Sequence, residues 1–286
     1  MTRQLTLDHV PFAWHDLEAL TAEFERLGIA PEYGGVHDNG VTHMSVLGFD
    51  DRSYVELIAE RADGDHDFWP DHIRADAGPA AWCVRVPDVV EECKRSLEAG
   101  LPVRGPLYGA REREDGRLVE WDRAEFGSEA DRLLFPFAID DRTPLSARVE
   151  PSPSVADGPL TGIGQVVLAV SDLEARMGRF RDVYRFPRPI RGRVDGVGEV
   201  ASVPGQPVAL ATPHEADGAG GVDGWLADRL LQFPECPCSV LLATDDLEAA
   251  RRAYPLAEPQ SWPDGCVAFF DSELLDTRLG VLERDP

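Results

Sequence analysis

The chain has 286 residues, with 28 basic and 52 acidic side chains and a net charge of −24. At roughly 100–200 residues per domain the length fits two domains. No apolar run approaches the roughly 18 residues of a membrane span, and a phosphate backbone would be repelled, so nucleic-acid and membrane partners are not expected. Lys94 is the only lysine, and the acid is spread along the chain rather than gathered in a tail. Scattered acid of this kind serves solubility, and it also suits a high-salt cytoplasm, where screening removes self-repulsion. Cys83, Cys93, Cys236, Cys238 and Cys266 are an odd number. Together with an N-terminus that lacks an apolar signal region, they read as reduced thiols of a cytoplasmic protein. Cys236 and Cys238 form a C-x-C pair with no second pair to close a zinc site, so they read as buried strand thiols.

The first element is LDHVPFAWHDL (Leu7–Leu17), and its pattern returns as IGQVVLAVSDL (Ile163–Leu173) and CPCSVLLATDDL (Cys236–Leu247), more weakly as AAWCVRVPDV (Ala80–Val89). Each run is apolar, ends near an Asp and leads into helical spacing. Asp16, Asp88, Asp172 and Asp246 sit where an N-cap belongs. In Asp16–Gly28, Leu17, Leu20, Phe24 and Leu27 fall on one face, and Gly28 marks the stop. Asp88–Gly100 repeats this layout. Short strands follow, over Pro31–Val36, Val41–Phe49 and Ser53–Glu60, the last two joined by a turn at Asp50–Arg52. Each unit is therefore βαβββ, and four units occupy about 4–62, 78–141, 160–214 and 236–284. The predicted fold is α+β, four βαβββ units in two paired halves with curved mixed sheets. The halves span 1–141 and 160–286, with the Pro- and Ser-rich stretch 142–159 as linker and a glycine-rich loop from His214 to Gly224.

Strand alternation sorts the polar residues of the first unit. Val10 and Phe12, and likewise Val55 and Leu57, suit the helix side, which leaves Leu7, His9 and Pro11, and Tyr54, Glu56 and Ile58, on the other face. Between them, Met44 and Val46 also suit the helix side, which groups His43 with Glu56. Two His and a carboxylate form a set that leaves open positions on a divalent iron, zinc, manganese or nickel ion. A buried Glu needs a partner in any case, so a metal-free polar pocket or a structural His–Glu pair stays open. Arg85 shares parity with Ala81 and Cys83 and is a natural anchor for an anion. Trp121, Arg123 and Phe137 (with Phe135 beside it) could line a substrate pocket. His15, His37, His66, His72 and His214 lie in loops or at element ends and read as surface residues. HDNG at His37–Gly40 reads as a turn. No phosphate loop, dinucleotide fingerprint or nucleophile elbow is present.

The segments LDHVPFAWHDLEALTAEFERLGI, GGVHDNGVTHMSVLGFDDRSYVELIAE, AWCVRVPDVVEECKRSLEAGLPV and LLFPFAI resemble the vicinal oxygen chelate superfamily, in its glyoxalase-like branch. The resemblance is good over 5–140 and weak over 160–284. It implies a metal ligand on the first strand and a Glu on the last strand of a unit, which are His9 and Glu56 here. The other units carry Ala81, Gln165 and Ser239, and Phe135 or Phe137, Ala209 and Gly280, at those places, so the C-terminal half is degenerate. The resemblance implies a divalent-metal-dependent lyase, isomerase or dioxygenase acting on a small oxygenated molecule, with His9, His43 and Glu56 as ligands, Glu56 as proton carrier and Arg85 orienting the substrate. Two alternatives stand beside it. One is a metal-free small-molecule binder of the bleomycin-resistance type. The other is a silent scaffold whose second half makes an oligomer contact, as in a homodimer.

Overall fold

A computed structural model describes residues 3–113, 115–213 and 224–285. His214 and the glycine-rich stretch up to residue 223 lie outside them. The first unit runs β1 (Leu7–Ala13), α1 (Leu17–Arg26), β2 (Glu32–His37), β3 (Thr42–Gly48) and β4 (Tyr54–Glu60). A connection with a short helix, α2 (Pro70–Arg74), and a two-residue strand, β5 (Gly78–Pro79), leads into the second unit. That unit is β6 (Cys83–Arg85), α3 (Val89–Glu98), β7 (Val103–Glu112), β8 (Leu118–Phe126) and β9 (Phe137–Asp141), and α4 (Leu145–Arg148) follows. The third unit is β10 (Leu160–Ala169), α5 (Leu173–Tyr184), β11 (Ile190–Val194), β12 (Gly198–Ser202) and β13 (Val208–Thr212). After α6 (Gly224–Gln232) the fourth is β14 (Cys236–Thr244), α7 (Leu247–Ala253), β15 (Gln260–Trp262), β16 (Gly265–Phe269) and β17 (Leu279–Arg284).

The four predicted caps are all formed. The carboxylates of Asp16, Asp88, Asp172 and Asp246 each accept a backbone N–H from the first turn of α1, α3, α5 and α7, satisfying donors that a helix start leaves free. Leu17, Leu20 and Phe24 of α1 are buried against Leu7, Val10 and Phe12 of β1 and Val55 and Leu57 of β4.

In the first half the strands run β4-β3-β2-β7-β8-β9-β6-β1, and β1 also pairs in parallel with β4. The sheet thus closes on itself as an eight-stranded barrel, a size whose interior side chains fill unless small residues leave room for one ligand. The second half repeats the order as β11-β12-β13-β10-β14-β17-β16-β15 without a closing ladder. Its interior is filled. Trp262 donates its indole N–H to Gln165 Oε1 at 2.7 Å, and Gln165 donates to Ser202 Oγ at 2.8 Å, among Val167, Leu241 and Phe269.

One apolar core runs through both halves, with Phe180 and Tyr184 of α5 against Trp82 and Phe135. Residues 142–159 do more than link. Ser152 donates its N–H to Gly48 O and accepts from Gly48 N at 3.1 Å. A Cβ at Gly48 would lie 2.2 Å from Glu150 O, so no larger residue lets this segment approach. It lays Val149 against Met44, Val46 and Tyr54 and turns Arg148 into the barrel. Among the described residues no helix is long and apolar enough to cross a membrane. Cys83, Cys93, Cys236 and Cys238 are buried free thiols, and Cys266 is exposed.

Candidate metal and substrate site

The barrel interior holds a cavity of about 1070 Å³, counting its open mouth. Its floor is polar and buried: His9, His37, Glu56, Arg111 and Arg148 are each less than 9% exposed. Its walls include Phe68, Trp69, Trp121 and Phe137.

Glu56 comes from β4, where Val46 of β3 is its cross-strand partner. Residues directly opposite share a face, so Met44, Val46 and Glu56 look inward. His43 is therefore on the other face of β3, beside Ser45, which accepts a hydrogen bond from Thr21 of α1. It is half-buried, edge-on to Tyr33, and burial followed by the charge of Arg61 pushes its pKa down. The expected His9–His43–Glu56 grouping is corrected here: apolarity misassigned β3, because the barrel interior beside the cavity is itself apolar.

His37 stands in its place. Expected at the surface, it is buried, with Nε2 3.2 Å from Glu56 Oε1. The HDNG turn sets its ring. Asn39 Oδ1 accepts the N–H groups of Val41 and Thr42, its amide N–H donates to Thr42 Oγ1 at 3.0 Å, and Thr42 Oγ1 lies 2.9 Å from His37 Nδ1. His72 and His66 also leave the expected surface group: His72 is buried and stacked on Phe233, and the His66 side chain is covered and paired with Glu60. His15 is exposed, paired with Asp76.

His9 Nε2 lies 3.5 Å from Glu56 Oε2, and its Nδ1 lies 2.6 Å from Asp8 Oδ1. The pairing of β1 with β6 shifts register between Leu7 and His9. This bulge puts one extra residue on β1, so Leu7 packs with Val10 and Phe12 outside while Asp8 and His9 both face inward. Simple alternation cannot anticipate that. Asp8 is fully buried and accepts both terminal nitrogens of Arg148, at 2.7 and 2.8 Å, and Arg85 Nε at 2.9 Å. Burial raises its pKa, but Arg148 and His9 together hold it far below the usual carboxylate range. Arg148 also grips Asp141 and donates to Tyr54 Oη at 3.0 Å. Tyr54 stacks on the His9 ring at 4.6 Å, and Phe137 meets its edge at 5.3 Å.

Arg85, read as a substrate anchor, is engaged with Asp8 and with Arg52 O at 2.8 Å and does not line the cavity. Trp121, Arg123 and Phe137 do line it. Arg123 pairs with Glu125 and stands over Phe68 at 5.7 Å. Trp121 lies across Gly109, where a Cβ would meet its indole at 2.5 Å. Phe135 belongs to the core outside. Sequence reasoning missed Asp8, His37, Arg111 and Arg148, and the pair Phe68–Trp69 from the connection between units. Asp8 carried a usable signal, since a carboxylate within an apolar strand needs a partner as much as Glu56 does.

The donor set can be tested for a divalent ion. Asp8 is an acceptor when ionised, so His9 carries its proton on Nδ1, whereas Thr42 Oγ1, which also takes an Asn39 amide N–H at 3.0 Å, can either accept from or donate to His37 Nδ1. Both Nε2 atoms face one carboxylate, an arrangement that needs a proton or a cation between each ring and Glu56. His9 and His37 approach different oxygens of Glu56, at 3.5 and 3.2 Å, so a single ion with bonds of about 2.0–2.2 Å would need the three side chains to draw together. A His whose other nitrogen is held by a carboxylate is the usual metal-ligand arrangement. Asp8, His9 and Cys83 also bring ligand atoms within 4.8 Å of one another. There, however, two guanidinium groups already occupy Asp8. Burial raises Glu56, and the hydrogen bond and charge of His37, then His9 and Arg111, more than offset this and hold it below the ordinary value.

Comparison with known proteins agrees with this architecture. A family model described as a glyoxalase-like domain matches residues 7–184. No curated protein matches in sequence. Among solved structures, a hypothetical protein from Staphylococcus aureus is 12% identical with a TM-score of 0.61, covering 98% of this chain and 99% of its own. A mutant 4-hydroxymandelate synthase from Streptomyces coelicolor is 12% identical at a TM-score of 0.57, covering 100% and 94%. The 2,2',3-trihydroxybiphenyl 1,2-dioxygenase of Sphingomonas wittichii strain RW1 is 15% identical at 0.53, covering 99% and 90%. These likenesses concern the fold. The family match, the four βαβββ units and the closed first barrel together place the chain in the glyoxalase-like family of the vicinal oxygen chelate superfamily.

Proposed function

We propose that the chain is a divalent-metal-dependent enzyme of the lyase, isomerase or dioxygenase kind, acting on a small oxygenated molecule in the first barrel. The observation that carries this reading is the pair of imidazoles, each with Nδ1 committed elsewhere, facing one buried carboxylate. His9, His37 and Glu56 would hold the ion. Iron, zinc, manganese and nickel all suit these ligands. Bound there, a divalent ion supplies Lewis acidity toward adjacent substrate oxygens and stabilises a developing enolate or oxyanion.

The chain supplies the rest. Asp8, itself fixed by Arg148 and Arg85, holds the ring of His9, and Thr42 holds that of His37. Phe68, Trp69, Trp121 and Phe137 give the cavity apolar walls against which a substrate would pack. Glu56, the carboxylate of this set, would be the group to carry a proton to or from the substrate. The C-terminal sheet, whose concave side is filled by Trp262 and its neighbours, has a supporting role. A metal-free binder is the second reading. It is favoured by Ala81 and Phe137, apolar residues that line the cavity where a second unit would supply ligands.

The test is equilibrium dialysis of chelator-stripped protein against zinc, manganese, nickel and, without oxygen, ferrous iron in molar salt, which screens loose attraction to the acidic surface. About one tightly held equivalent of at least one ion is expected. No stoichiometric uptake of any ion would overturn the enzyme reading in favour of the metal-free binder.

A further inference from the structure

We propose that the ligand of the first barrel is an aromatic carboxylate and that Arg111 receives its charge. The proposal takes its location from the cavity reading above and adds the substrate class. Five arginines line the cavity: Arg104, Arg111, Arg123, Arg132 and Arg148. Four are paired with carboxylates, Arg104 with Asp67, Arg123 with Glu125, Arg132 with Glu129, and Arg148 with Asp8 and Asp141. Arg111 is the exception. It is 5% exposed, and no described carboxylate comes within 4.0 Å of its guanidinium.

What holds Arg111 is backbone. One terminal nitrogen donates to Gly34 O at 2.6 Å and the other to Arg148 O at 2.5 Å. Carbonyl oxygens orient the guanidinium but bring no net charge, and the Glu56 carboxylate acts on it only from beyond ion-pair distance. Burial pulls its pKa down accordingly. Of its five N–H groups, two are spent in this way, so the planar group keeps donors for a ligand. The surrounding charges point the same way. Asp8, Glu56 and Asp141 are balanced by Arg85, Arg111 and Arg148, so a divalent ion on the His–Glu set would leave the floor positive. An anionic ligand would offset part of that positive charge, and Arg111 is the cavity-lining arginine with no described carboxylate within 4.0 Å.

The rest of the ligand follows from the walls. Phe68, Trp69, Trp121 and Phe137 line the same cavity as Arg111, and such walls suit a planar ring. Guanidinium and carboxylate match as two parallel N–H···O bonds, which a neutral amide cannot reproduce.

The experiment uses benzoate and its uncharged counterpart benzamide as probes on the metal-stripped full chain, read by calorimetry and by the fluorescence of Trp69 and Trp121. Benzoate is expected to bind at least about tenfold more tightly than benzamide. Arg111→Gln is expected to erase that preference by weakening benzoate alone. Should Arg111→Gln fail to fold, Arg111→Lys is used, with a several-fold loss for benzoate expected. Equal binding of the two probes by the unaltered chain, binding of neither, or a preference that survives in the Arg111 variant overturns the proposal. Metal uptake is measured on the same samples. A benzoate preference that depends on Arg111 in a chain that takes up no metal would uphold this proposal while rejecting the enzyme reading. Stoichiometric uptake without the preference would do the reverse.

Discussion

Arg148→Ala is expected to destabilise the protein by about 3–5 kcal/mol, the cost of removing one partner from a buried ion pair. Tm should fall on the order of 10 °C in a differential scan. Arg148 is 2% exposed and holds Asp8 and Asp141 at once, so its loss takes two charge-assisted bonds from the fully buried Asp8 and also frees the partly buried Asp141. The sign of the pH dependence follows from Asp8, whose native pKa is lowered. Its pairing contributes stability above the ordinary aspartate value of about 3.9 and loses it as pH falls toward the native value. The gap between the unaltered chain and Arg148→Ala should therefore be widest near neutrality and narrow below about pH 4. Asp8→Asn combined with Arg148→Met should recover much of the loss, since both charges leave together. A Tm within 2 °C or so of the unaltered chain would mean that Arg148 contributes little to holding the barrel floor.

Glu56→Gln is expected to weaken metal binding by more than about 100-fold, beyond the 10–100-fold typical of a residue that merely supports a ligand. The shape is kept and the charge removed. The glutamine amide can donate to an imidazole lone pair, so circular dichroism and Tm should stay close to those of the unaltered chain. Equilibrium dialysis compares the two proteins directly. Unchanged affinity in Glu56→Gln would remove the carboxylate from the ligand set. It would turn attention to Asp8, His9 and Cys83, whose donor atoms also lie close together.

The repeat in the sequence carried most of the fold. Four apolar runs each ending near an Asp became four strands with capped helices, because cap chemistry and strand alternation are local properties. His9 and Glu56 were legible for the same reason: each is a polar residue in an otherwise apolar strand. The rest of the site depends on non-local geometry. His43 was preferred to His37 because strand faces were sorted by apolarity, and Met44 and Val46 are apolar yet look into the cavity. Asp8 was hidden by a bulge that turns two consecutive residues inward. Arg148 sits in a stretch whose Pro and Ser content suggests a linker. Only the close approach at Gly48 and the bonds of Ser152 bring it under the barrel. Arg85 had the right side but was drawn to Asp8, a carboxylate not placed in the site when strand faces were sorted.

The most direct test of this account sets His37→Ala beside His43→Ala in one metal-retention assay, by elemental analysis after dialysis in molar salt. His37→Ala is expected to lose the ion and His43→Ala to keep about one equivalent, because His37 faces Glu56 and His43 lies on the opposite face of β3. Retention in His37→Ala with loss in His43→Ala would contradict the register of β3 against β4 and the site built on it.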